Sequence, residues 1–541
     1  MHKGRIRWAG VFCLACVLGV QAQETEHSGH SGGPVPREIL ERPVTLRTGI
    51  GTLHEKVSTN SAEAQEFYDQ GLAYLHSFVW IEAIRSFHQA LRNDGNLGMA
   101  YLGLADAYLG LQDPETARTA VNAAKALAKQ MSDREKSWLS IRDAEVASAL
   151  DGSNTDLYVA YRKAVGDVLK KYPSDPWFWI QRGLADESSP FTHGQAGTVD
   201  TLAFYKMALV LAPDNLAALH YYAHTCESIG RIKEAAELTA KYAKLAPVIP
   251  HAQHMYGHEL LRSGRTEEAI QQFLKTKELE DAYYRTEKIP AKYDWHHAHN
   301  LQLLAMAYQS LGQIKAAEAF YREAFATPGY TEFLEYNRRA WPEFLLNRGR
   351  FDEALAAAQE MTKSESAMAR LAGHTLAGLA LLSRNQVNEA KDELHAAEQV
   401  SEALPPRLAA ALPYPTLLRA DILLRENQAQ QAETLLVDVQ QAILLMPGPD
   451  AWSTATFELE TMAQGAREAG DWKLAAFTAK NMMEHDPNYA GGYYAMALVA
   501  AHSKDTAAEA KLFGAARKLW AKADADLPEM ATIAKNGTLA E

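Results

Sequence analysis

What most constrains this chain is a repeat: from Ala64 onward, small and large apolar residues recur with a period of about 34 residues, the length of a paired-helix unit. Phe67, Gly71, Tyr74, Ala83, Phe87 and Ala90 make up the first instance, and Tyr101, Leu104, Ala105, Tyr108, Ala117 and Ala124 follow at the same offsets. Alanine belongs where two helices approach most closely, and large side chains fill the holes beside it. Later units centre on Ala235, Ala269, Ala317, Ala354, Ala390, Ala432 and Ala475. Gly230, Gly264, Gly312, Gly349 and Gly470 mark the turn inside each pair, and Pro213, Pro247 and Pro487 close units.

This template resembles the tetratricopeptide repeat, which implies an all-α, paired-helix α-solenoid with a concave groove. The pattern is degenerate between Ala124 and Leu202, although Ser137 to Lys171 still reads as helical. Asp186 to Gly197 is rich in turn residues, and Asp281 to Trp295 reads as an insertion between units. The expected organisation is a signal peptide (1–22), a flexible leader (23–60), N-terminal repeats (61–200), histidine-rich repeats (201–330) and C-terminal repeats (331–541). Almost nothing reads as strand beyond a short extended stretch at Val44 to Leu53.

Lys3, Arg5 and Arg7 precede an apolar run from Trp8 to Val20, and Val20-Gln21-Ala22 offers a small-residue cleavage site. A periplasmic or secreted protein is therefore expected, cleaved after Ala22. The mature chain has no second apolar run of about 20 residues that would span a bilayer. A lipid anchor on Cys16 fits poorly, because Cys13-Leu14-Ala15 departs from the usual lipoprotein pattern. Removal of the signal leaves Cys226 alone, so no intramolecular disulfide staples the fold and helix packing must stabilise it. The 541 residues are 47% hydrophobic and carry a formal charge of -13, with no stripe of Lys and Arg to follow phosphates, which argues against nucleic acid as partner.

Of nineteen histidines, eight lie between His220 and His299, more than twice what an even spread would place there. On the repeat template, His220, His224 and Glu227 take positions 5, 9 and 12 of a first helix and fall within an arc of about 60°. His251, His254 and His258 form a second such stripe, and His299 opens the next helix. Neutral imidazole is the commonest transition-metal ligand, and histidines four apart on a helix present nitrogens to one ion. The stripes would serve one ion with an open position, or two, and donors without thiolate suit Zn, Fe, Cu or Mn. The competing reading is a groove that binds an anionic peptide or cofactor through imidazoles. His296 and His297 are weaker ligand candidates, and Cys226 points away from the stripe into the core.

The strings His220-Tyr-Tyr-Ala-His224, His251-Ala-Gln-His254-Met-Tyr-Gly-His258 and His299-Asn300 are similar to those of a group of bacterial exported tetratricopeptide proteins with H-x-x-x-H, H-x-x-H-M-x-x-H and H-N in this order. The group's usual Pro-Ser before the last histidine of the second string is Tyr256-Gly257 here. The family's use of first-helix positions to line its groove implies that the three helices aim their imidazoles into one trough.

Three functions stay open from sequence. One is a metal-binding repeat protein holding a protein, peptide or small molecule in its groove. Another is a metal-dependent oxidoreductase or hydrolase with Glu227 as general base. The last is a metal-free interaction scaffold. Tyr336, Arg339 and Glu343 recur at positions 2, 5 and 9 of a later unit and are candidate ligand-binding residues, with a solvated charged stripe as the alternative. No second histidine follows His258-Glu259 to make a metalloprotease helix, and no phosphate loop, nucleophile elbow or haem attachment motif is present.

Overall fold

In a computed structural model describing residues 35–187, 194–329, 331–446 and 450–536, the chain is an all-α helical-repeat solenoid, 75% helical. Successive antiparallel pairs run from Ala62–Leu75 with Trp80–Asn93 to Ala490–His502 with Thr506–Leu519. No strand occurs among the described residues, and no helix among them is long and apolar enough to cross a membrane. The signal segment, the histidines at 27 and 30, and most of the turn-rich loop after Glu187 lie outside the described residues.

The residues that define the repeat do what their sizes dictate. Ala83, Ala90, Ala117, Ala124, Ala235, Ala269, Ala317, Ala354, Ala390 and Ala432 are all fully buried. The five predicted turn glycines all adopt the left-handed conformation, Gly230 with φ of 77°, where a Cβ would be strained. In other pairs the slot holds a non-glycine residue, Gln112, Asn385, Asn427 or Lys504, and after Ala62–Leu75 it holds the bulkiest of them, Phe78, with φ of 58°. A bulky residue there costs about 1–2 kcal/mol relative to right-handed backbone, so what its ring touches becomes informative.

Three expectations change. The leader from residue 35 is not flexible, because Val35, Ile39, Leu40, Ile50, Leu53 and Val57 are buried against the first repeats, and the Val248 amide donates to the Gly49 carbonyl at 3.2 Å. The degenerate segment holds three helices, Asp133–Leu150, Thr155–Lys171 and Pro176–Ala185, the first started by a capping box between Ser132 and Glu135. The 281–295 insertion is helical in its first half: Thr266–Glu287 runs on into it and ends where Lys288 turns left-handed, before a short turn of helix at Ala291–Tyr293. That extra length carries Glu280 to the start of the next unit.

One apolar core extends from Val35 to Ile289 and a second from Leu260 to Tyr489. Helix Pro250–Arg262 joins them, with Ala252 in the first and Leu260 and Leu261 in the second. Its histidines therefore stand at the junction of the two cores.

Candidate metal centre

Six of the predicted histidines converge, but in an order different from their stripes. His220 and His224, one turn apart on Leu216–Ser228, meet His251 from the start of Pro250–Arg262, and the three donor atoms lie within 4.8 Å of one another. His254 and His258 on that second helix meet His299 from the start of Trp295–Ser310 in an equally tight group. Each centre is thus an i, i+4 pair completed by the second residue (His251) or the fifth residue (His299) of the following unit's first helix. His251 leaves its own stripe to join the preceding helix, which corrects the single-trough expectation.

Both centres are built around a hub. Nε2 of His220 is 2.9 Å from Nε2 of His251 and 3.0 Å from Nε2 of His224. Nε2 of His254 is 2.9 Å from Nε2 of His258 and 3.0 Å from Nε2 of His299. The hub tautomers follow from their other nitrogens. His220 Nδ1–H donates to the His76 carbonyl at 2.7 Å. His254 Nδ1–H donates at 2.9 Å to Oδ1 of Asn300, whose own amide nitrogen donates to the Phe273 carbonyl at 3.1 Å. Each neutral hub therefore presents a bare Nε2 lone pair to two further imidazole nitrogens, with its other nitrogen held by an oxygen acceptor as in metal-ligating histidines.

All six rings are between 0% and 6% exposed. Burial pushes the His220 pKa down to about 3, and burial together with neighbouring imidazoles holds His224, His251 and His254 well below the usual value. At His258 burial opposes the charged form, but the Glu227 and Asp450 carboxylates outweigh it and hold the pKa above its usual value. Four of the six imidazoles are thus kept neutral, the form that binds metal.

The lid over the first centre is Phe78. Its ring centroid is 4.5 Å from His220, 5.0 Å from His251 and 6.0 Å from His224, which accounts for a phenylalanine in a left-handed turn slot. The same turn supplies the His76 carbonyl to His220 and the Phe78 carbonyl to Trp295 Nε1. Behind Phe78 lies a cavity of about 20 Å³ bordered by Asp106, Glu145, Tyr161 and Tyr221. The second centre is closed by Asp450, at the head of helix Ala451–Glu468, with Oδ2 3.2 Å from His299 Nδ1 and Oδ1 3.7 Å from His258 Nε2. The histidines are therefore enclosed rather than displayed on an open concave face.

Glu227 lies behind the ligands. Its Oε1 is 3.3 Å from His258 Nδ1 and its Oε2 is 4.0 Å from His224 Nδ1, so it addresses the ring edges remote from both convergence points. This placement suits orienting His258, without a hydrogen bond to His224, and holds the carboxylate on the far side of the rings from both convergence points. Cys226 is fully buried, and burial raises its thiol to about 12, so it is a core residue. Cys226→Ala should lower stability by roughly 1 kcal/mol and leave metal content unchanged; loss of metal would make the thiol a ligand.

Tyr336, Arg339 and Glu343 are not a solvated stripe, and Arg339 is not free to take a substrate carboxylate. All three are buried, and the Arg339 guanidinium donates to the Tyr414 hydroxyl at 2.9 Å and to Glu458 at 3.2 Å while lying 4.2 Å over the Tyr336 ring. Burial pushes Glu343 up to about 8, with Glu458 adding to the shift. The cluster reaches the second centre electrostatically: burial opposes ionisation of Asp450, but His299, His258 and Arg339 together hold its pKa below the usual value. Phe78, Asp450 and the His76 carbonyl were not predicted as site groups, and Asn300 had appeared only as part of the His299-Asn300 string; Phe78 left a trace as the one aromatic residue in a turn slot held elsewhere by glycine or by Gln112, Asn385, Asn427 and Lys504.

A family model described as tetratricopeptide repeat matches residues 298–326, the pair Trp295–Ser310 and Ile314–Ala326. That pair is a tetratricopeptide repeat unit. The repeat's similar solved structures include a tetratricopeptide protein from Parabacteroides merdae, at 15% identity and a TM-score of 0.34, covering 50% of this chain and 99% of that one. YrrB, described as having an unusual peptide-binding site, is 16% identical with a TM-score of 0.26, over 38% of this chain and 95% of its own. Naa15/Naa10 bound to HypK is 17% identical with a TM-score of 0.24, over 74% and 66%. No curated protein matches the chain.

Proposed function

We propose that this chain is an exported tetratricopeptide protein that binds two transition-metal ions, one in each tri-histidine centre. The observation that carries this reading is the pair of hubs. His220 and His254 each have one nitrogen committed as a donor and the other placed about 3 Å from two more imidazole nitrogens. A neutral hub has one lone pair at Nε2 and can fully accept from only one of its two neighbours, whereas a shared cation would take a lone pair from all three rings. Imidazole donors suit Zn, Cu, Fe or Ni, whereas Mn prefers carboxylate and water, so Mn drops from the candidates. Enclosure by Phe78 and Asp450 favours a small molecule over a peptide as the ligand reaching the ions.

The test is the metal content of tag-free protein isolated from its native compartment. About two ions per chain are expected, and protein that neither carries nor takes up first-row ions would refute the reading. N-terminal sequencing of that preparation should begin at Gln23, and an intact Met1 would overturn export. Because burial holds all three imidazoles of the first centre low, His220 at about 3, its ion should be retained as pH falls through about 6 and released only well below the usual histidine range. Release already complete at pH 6 would count against these ligands.

A further inference from the structure

The fold brings a seventh imidazole to the two centres. His296 stands in the first turn of Trp295–Ser310, is 4% exposed, and has its ring centroid 4.5 Å from His254 and 5.1 Å from His251. Its Nδ1 is 2.6 Å from Oε1 of Glu280, which also takes His297 Nδ1 on Oε2 at 2.9 Å. Nε2 of His296 is buried and has no hydrogen-bond partner. A buried imidazole whose Nδ1–H is fixed by a carboxylate and whose Nε2 is left without a partner has the arrangement of a metal ligand oriented from behind. His297 does not share it, because its Nε2 faces Glu323 at 3.8 Å.

The ring separations point to the second centre. His296 stands 4.5 Å from His254 and 6.0 Å from His299. The ligand pairs of that centre show similar separations, 4.6 Å for His254 and His258 and 5.8 Å for His258 and His299. His296 lies on the side facing His251, outside the tight group of three.

We propose that His296, held by Glu280, is the fourth imidazole ligand of the second centre. A four-nitrogen set closes that centre in the manner of a structural site, whereas the first centre, with three imidazoles beneath Phe78, keeps the position where an outside ligand binds. The two ions then have different roles: one ties the two apolar cores together, and the other is the reactive or ligand-binding ion. This inference rests on the two-ion reading above.

The experiment uses full-length protein carrying His220→Ala and His224→Ala, so that only the second centre titrates, with Co(II) as probe. Adding His296→Ala should weaken Co(II) binding by at least the roughly 10–100-fold that loss of a ligand's outer partner causes, change the visible d–d bands, and let added azide alter the spectrum where it had no effect before. His296→Gln carries the same readouts should the alanine variant fail to fold. Unchanged affinity and an unchanged spectrum in a folded His296 variant would overturn the proposal. Failure of the unmodified protein to bind two ions would instead remove the two-centre reading itself, so the two failures are distinguishable.

Discussion

Replacing His254 and His258 together by alanine is expected to remove one of the two ions and leave the other bound. The first centre draws His251 from the same helix, but its hub is His220, fixed by the His76 carbonyl, and none of its three nitrogens belongs to the deleted pair. The reciprocal variant, His220→Ala with His224→Ala, should lose the other ion. The helical spectrum should change little in either, since the rings face each other and the repeat is built by the alanine contacts on other faces. Metal analysis and titration calorimetry read the result. Loss of both ions from the first variant would mean a single shared site, and retention of both would mean that the ligands lie elsewhere.

The second large effect concerns the C-terminal repeats. Arg339→Ala should destabilise the contact between helix Ala340–Asn347 and helix Ala451–Glu468 by about 3–5 kcal/mol, because it leaves Glu458 and the Tyr414 hydroxyl buried without their guanidinium. A solenoid need not unfold in one step, so hydrogen exchange in those two helices is the appropriate readout. Metal affinity of the second centre should change less, since Arg339 reaches it only through the charge on Asp450. A variant with wild-type protection but lost affinity for a carboxylate ligand would restore the substrate-binding reading of Tyr336, Arg339 and Glu343.

The repeat was legible because it is local. A helix pair needs alanine at its closest contact and a left-handed residue at its turn, and both requirements fall at fixed offsets, so Ala83, Ala117 or Gly230 can be recognised without knowing what lies beyond the unit. The histidine pairs were legible for the same reason, since His220 with His224 and His254 with His258 share a face by helical geometry alone. The leader was misread because Ile39, Ile50 and Leu53 have no period of their own, and their burial depends on a surface that the repeats create.

The chain's periodicity therefore determined by itself that it is an all-α solenoid with imidazoles gathered on three consecutive first helices. Only the tertiary structure decided how those imidazoles divide. The offset between successive units places the start of one helix beside the middle of the preceding one, so that His251 and His299 complete pairs belonging to their neighbours. Closure of the site was equally invisible, because Phe78 and Asp450 lie more than a hundred residues from most of the histidines they cover, and no local pattern encodes which distant repeats fold back onto a solenoid's inner face.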